Sequence, residues 1–214
     1  MGFDLLPLLL RGAGITIQLT LVSAAVALFM ALLAGLGRLS PFRAVRFLAG
    51  TYVEVFRGTS VLVQLFWFYF ALPLFGIRLD AFTAGVLALG LNVGAYGAET
   101  VRGSILSVPR GQIEAGIALN FSAAQRMRRI VLPLALVMML PPFGNNLIEL
   151  LKATALVSLI TIPEMTFEGY SLQMTTGRTN EIFMWLLVLY FAIAYPLTLG
   201  VRAIERRVSA FLRA

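Results

Sequence analysis

"VPRGQIEAGIALNFSAAQRMRRIVLPLAL", Val108 to Leu136, is a polar interruption in a chain that otherwise avoids charge. Pro109 suits a first helical turn, and the residues after it continue a helix for about two turns. Asn120 then stops it, because Asn is the usual substitute for Gly in the left-handed conformation just past a helix end. Ser122 followed by Gln125 fits the reciprocal capping pattern S-x-x-Q, so a second helix starts there and runs through Arg126, Arg128 and Arg129 into apolar sequence. The expected product is a sharp elbow that presents Glu114, Ala115 and Gly116 outward, where small side chains let another protein approach closely. A simple connection between spans does not require this capped form. An amphipathic helix lying on the membrane surface is the plainer reading.

Composition says why the interruption stands out. Of 214 residues, 59% are hydrophobic and 13% charged, with a mean hydropathy of +0.89. That is too apolar for a soluble domain, so lipid is the expected solvent. The first residues carry Asp4 and no base ahead of the apolar run, unlike the charged start of a cleavable signal, so the first hydrophobic helix is expected to be retained. There is no cysteine and no histidine. Disulfides, thiolate metal sites, His-ligated haem and imidazole catalysis are thereby excluded. The only lysine, Lys152, follows an apolar stretch rather than a glycine-rich loop, so no P-loop for ATP is present and the chain is not expected to be an enzyme. No cofactor or metal is expected in this chain.

A span needs roughly 20 apolar residues. Five stretches qualify, giving an all-α polytopic membrane protein as one domain over residues 1–214: Gly12 to Gly37, Val53 to Phe75, Ala81 to Val101, Ile130 to Ile160 and Ile182 to Val201. The fourth is overlong, and Pro141 and Pro142 read as a kink in one helix rather than a break between two. The polar elbow region, 104–129, connects the third span to the fourth. With the amino terminus outside, 13 of the 17 basic residues, from Arg38 to Arg213, lie on the cytoplasmic side, and only Arg11, Arg78 and Arg178 lie outside. The carboxy terminus and the elbow are then cytoplasmic. The net charge of +7 is accounted for by topology and anionic lipid, with no nucleic acid partner.

Polar groups within spans mark candidate sites. Asn92, Tyr96 and Glu99 recur at i, i+4 and i+7 on the third span; Asn145, Glu149 and Lys152 do the same on the fourth. A lining with both an acid and a base suits a small zwitterion. The same residues also serve as glue between helices, and both readings stand. Two segments, "VEVFRGT" and "AETVRGS", share E-x-x-R-G-[ST], which sets Glu54 beside Arg57 and Glu99 beside Arg102 for local pairing or for gating. An odd number of spans gives no inverted repeat, so a complete pathway needs a second subunit.

Within the interruption, "EAGIALNFSAAQRMRRIVLP" resembles the cytoplasmic loop of ABC importer permeases, with Glu114, Ala115, Gly116, Ile130, Leu132 and Pro133 in the corresponding positions. Gly116 stands where the family has a second alanine, and Asn120 where it has glycine. "YVEVFRGTSVLVQLFWFYFALP", "AYGAETVRGSILSVPRGQIEAG", "LLKATALVSLITIPEM" and "IERRV" are similar in order to polar amino acid permeases of bacterial ABC uptake systems. The resemblance implies a type I importer permease fold in the bacterial inner membrane. It also implies docking of a cytoplasmic ATPase dimer, which binds the ATP and Mg, on Glu114, Ala115, Gly116 and Asn120. A second permease subunit and an extracytoplasmic solute-binding protein complete the implied assembly. A passive channel or ion-coupled carrier built as a dimer is the competing reading; it has no need of the elbow.

Overall fold

The computed structural model describes residues 3–211, which leaves Arg213 outside. Among the described residues the chain is helical throughout, and its frame is one helix pair. Helix α1, Leu6–Gly37, buries a stripe of mostly small residues that includes Thr16, Thr20, Ser23, Ala27, Ala31 and Ala34. Their three- and four-residue spacing makes one face, and that face lies along α4, Ala81–Leu106, whose own buried face includes Gly90, Gly94 and Ala98. Small residues on both sides let the two backbones close, which drives helix association where lipid removes the hydrophobic force. At Gly94 the fit is tight: a Cβ there would stand 2.9 Å from Met30 Cβ and 3.1 Å from the Ala27 carbonyl oxygen.

The second expected span, Val53 to Phe75, is not one helix. Helix α2, Arg43–Gly58, is strongly amphipathic and starts ten residues earlier; the chain then bends by 104° into α3, Val61–Phe66, which continues as a π and a 3-10 turn to Phe75. Thr59 and Ser60, just past Gly58, form the break, and Ser60 caps α3 by accepting from the Leu62 N–H. Helix ends leave carbonyls unpaired. Here the freed Phe56 carbonyl accepts from Gln64 Nε2 and Asn92 Nδ2, each at 2.8 Å, and Tyr52 donates to the Leu91 carbonyl at 2.7 Å. These bonds fasten the bend to the middle of α4.

Past α4 come the elbow helices α5, Arg110–Ala118, and α6, Ala123–Arg126, the latter passing through a π turn into α7, Leu132–Ala153. Helix α7 runs unbroken through Pro141 and Pro142 and is extended by a 3-10 segment to Ile160. One span is therefore present, beginning at Ala123 rather than Ile130. Helix α8, Met165–Thr176, and the last span α9, Thr179–Phe211, close the bundle. The first, third and last helices also extend beyond the expected limits, to Leu6–Gly37, Ala81–Leu106 and Thr179–Phe211.

A buried hub joins α1, α8 and α9. Glu164, 0% exposed, caps α8 by accepting from the Phe167 N–H at 2.8 Å, while Tyr190 of α9 donates to its second oxygen at 3.1 Å and Thr16 of α1 lies 3.4 Å from the same atom. At this end Arg178 ties Asp4 to Glu181. The opposite end gathers the last turns of α4, Leu39 just past α1, and the elbow around Ile105, Val108 and Val131.

Candidate functional site

The elbow is held by backbone and side-chain bonds that its own residues supply. Asn120 takes the left-handed conformation at φ 58°, its N–H donating to the Ile117 carbonyl at 2.8 Å, while the Phe121 N–H donates to the Gly116 carbonyl at 2.9 Å. Together these two bonds form a Schellman motif, which satisfies carbonyls at the end of α5. Two residues on, the expected capping box is present: Ser122 Oγ accepts from the Gln125 N–H at 3.3 Å and the Ser122 N–H donates to Gln125 Oε1 at 2.8 Å. Arg126 closes the turn by donating to the Phe121 carbonyl at 2.7 Å, and Arg129 stacks on the Phe121 ring.

Glu114, Ala115 and Asn120 are exposed on this hairpin. Gly116 is not. It is buried beneath the second arm, where a Cβ would meet Ile130 Cδ1 at 2.7 Å, so its smallness serves the closure of the elbow and not an outer surface. Pro109 also sits one position earlier than expected, as the N-cap of α5 rather than within its first turn.

The charged residues near this end sort differently from the local pairing expected. Glu99 pairs with Arg102 at 2.9 Å as the spacing predicts, but Glu54 does not pair with Arg57. Arg38, from the end of α1, bridges Glu99 and Glu54, lying 3.5 Å from the latter, and Arg57 instead lies over the Tyr96 ring, 5.2 Å from its centroid. The cluster thus pins three helices together at the end that carries the elbow.

Midway along α4 and α7 lies a cavity of about 340 Å³ lined by Asn92, Tyr96, Asn146 and Glu149 with Val61, Leu89, Val93 and Ala153. Three of the six expected passage residues meet here. Glu99 does not line it, being drawn into the ionic cluster a turn away. Asn145 is replaced by Asn146, since one residue rotates a helix position by about 100°. Lys152 stands off the lining but within 2.5 Å of Glu149, and both are well exposed on their helix, at 57% and 69%. The Asn146 Nδ2 is buried without a hydrogen-bond partner, and no stretch of sequence singled that residue out from its neighbour.

Residues 5–210 match the family described as binding-protein-dependent transport system inner membrane component. The probable amino-acid ABC transporter permease protein of Sinorhizobium fredii is 45% identical over 205 residues, covering 93% of this chain and 86% of that protein. The glutamine transport system permease protein of Escherichia coli is 39% identical, covering 95% of this chain and 94% of that protein. Among solved structures, the crystal structure of an amino acid ABC transporter with histidines superposes with a TM-score of 0.89 at 36% identity, covering 94% of each chain. With the elbow, the bent second span and the match over almost its whole length, the chain belongs to the inner membrane component family of binding-protein-dependent transport systems, the permease subunits of ABC importers.

Proposed function

We propose that this permease subunit carries a polar amino acid or a related small zwitterion into the cytoplasm, driven through the elbow by separate ATPase subunits. The observation that carries the mechanical part is the exposed tip formed by Glu114 and Ala115 on a hairpin whose shape is locked at both bends. The base of that hairpin packs on α4 and the start of α7, which carry most of the cavity lining. A push on the tip therefore reaches the passage through packed elements rather than through a flexible loop.

The asymmetry of the basic residues supports an amino terminus outside and a carboxy terminus and elbow in the cytoplasm. Exposed Glu149 and Lys152 on a spanning helix favour a second permease subunit facing them across an aqueous passage, since lipid is a poor neighbour for either. An ATPase dimer holding ATP and Mg and an extracytoplasmic binding protein complete the assembly. The relatives' amino-acid names and the mixed acid and amide lining support the substrate class.

The test is Glu114→Arg in the assembled transporter. Amino acid uptake in proteoliposomes falls at least tenfold while the subunits still co-purify. Uptake at the unaltered rate would remove the elbow from the mechanism.

A further inference from the structure

Five charged side chains meet where α1, α2 and α4 pack together, and their charges do not cancel. Arg38 and Arg102 share Glu99, and Arg38 also reaches Glu54, so the two acids are divided between two arginines. Arg57 is the third arginine. Glu54, its neighbour at i−3, is turned to Arg38, and among the described residues Arg57 has no ion pair; its guanidinium lies over the Tyr96 ring instead, 5.2 Å from the centroid. The cluster thus carries one positive charge in excess, and Arg57, which is exposed, holds it.

The depth of that charge says what it faces. Tyr96 lines the cavity, and from Tyr96 to Leu106, the last residue of α4, the helix runs about 15 Å toward the elbow. Next to Arg57, the Phe56 carbonyl is bonded to Asn92, so α2 cannot drop the arginine to the membrane surface. A guanidinium turned to lipid at this level is expensive. Arg57 therefore faces water, and its contact with Tyr96 puts that water at the elbow end of the cavity.

A fixed cation beside a passage raises a barrier to other cations. A molecule with no net charge feels it far less, because its ammonium is repelled about as much as its carboxylate is attracted. The cavity needs such a barrier: Glu149 on its wall is an acid that draws cations, and Lys152 does no more than neutralise it. Building on the importer reading above, we infer that Arg57 is a specificity-determining residue that keeps inorganic cations out of the passage while a zwitterion goes through. The face of the Tyr96 ring holds its guanidinium in place by a cation–π contact.

The experiment uses the permease assembled with its ATPases and binding protein in proteoliposomes that enclose a potassium-sensitive dye. Potassium entry and uptake of a radiolabelled amino acid are recorded together during ATP turnover. Arg57→Gln removes the charge; Arg57→Lys keeps it. One unit charge about 12 Å from an ion, at an effective dielectric constant of about 20, changes the ion's population about tenfold. Potassium entry per amino acid carried therefore rises at least about tenfold in the glutamine variant and stays within about twofold in the lysine variant, while amino acid uptake by both stays within about threefold of the unaltered rate. A glutamine variant as tight as the unaltered protein would overturn the inference. So would equal leaks in both variants, which would assign Arg57 to packing on Tyr96, and so would a loss of uptake with no leak. Amino acid uptake without ATP would contradict the importer reading instead, and the leaks of the two variants would still decide the role of Arg57.

Discussion

Replacing Gly94 by alanine puts one methyl group into the contact on which the whole bundle is framed. Its carbon would lie 2.9 Å from Met30 Cβ, 3.0 Å from the Tyr52 hydroxyl oxygen and 3.1 Å from the Ala27 carbonyl oxygen. Ordinary contacts between carbon atoms lie at about 3.5–4.0 Å, so the shortfall is roughly 0.5–1 Å. None of the three neighbours can swing away: two belong to the α1 backbone or its first side-chain carbon, and Tyr52 is anchored on the Leu91 carbonyl. Either α1 separates from α4 or α2 releases its hold. Overpacking of this kind costs about 1–3 kcal/mol. Loss of the Tyr52 bond adds about 1 kcal/mol, and alanine's helix propensity returns about 0.5–1. The net is about 1–3.5 kcal/mol of destabilisation. For a domain of this size that lowers the unfolding midpoint by about 2–14 °C, measured in one detergent against the unaltered protein. Gly50→Ala in α2 is the control, because no atom lies within 4 Å of the added carbon, and it leaves the midpoint unchanged or raises it. A Gly94→Ala protein as stable as the parent, or a Gly50→Ala protein that falls as far, would refute the packing argument.

Other consequences are as direct. Asn120→Gly keeps the left-handed elbow at no backbone cost, so hydrogen exchange at Phe121 and uptake are unchanged; Asn120→Val places a branched side chain at φ 58° for about 1–2 kcal/mol or more, and Phe121 exchanges faster. Equal exchange in both variants would show that the Schellman turn is not what holds the hairpin. Glu164→Ala strips the cap from α8 and leaves the Tyr190 and Thr16 hydroxyls without their shared acceptor, a loss of about 2–4 kcal/mol visible as a lower thermal midpoint, with Glu164→Gln closer to the parent. An unchanged midpoint for the alanine variant would mean that the hub contributes nothing.

What was legible in the sequence is what is decided locally. Asn120 and the Ser122 and Gln125 pair fix the elbow with residues at most five positions apart, so its two bends could be read from one short stretch. The spans follow from runs of apolar residues, and four of the five expected stretches lie on single helices long and apolar enough to cross a membrane. The second lies on a bent pair, because Arg43–Gly58 is amphipathic and its apolar half merges with the run that follows. The bend at Gly58 to Ser60 did leave a trace, a glycine ahead of two residues that cap helices, but hydropathy averages across it. Charge pairing failed where it is tertiary: Arg38 reaches Glu54 and Glu99 from a third helix, which no spacing within one segment encodes. Asn146 was missed for a similar reason. Adjacent residues differ by about 100° in facing, and only the placement of α7 against α4 says which asparagine meets the cavity.

Force entering at the tip of the elbow is the central claim, and the absence of cysteine from the chain makes it directly measurable. Ala115→Cys in the assembled transporter provides a single thiol at the exposed tip. The account predicts a short-reach cross-link from this thiol to the ATPase subunit, with a yield that changes when ATP and Mg are added, and no labelling by a membrane-impermeant maleimide applied to intact cells. Labelling from outside, or cross-linking to the binding protein in place of the ATPase, would contradict it.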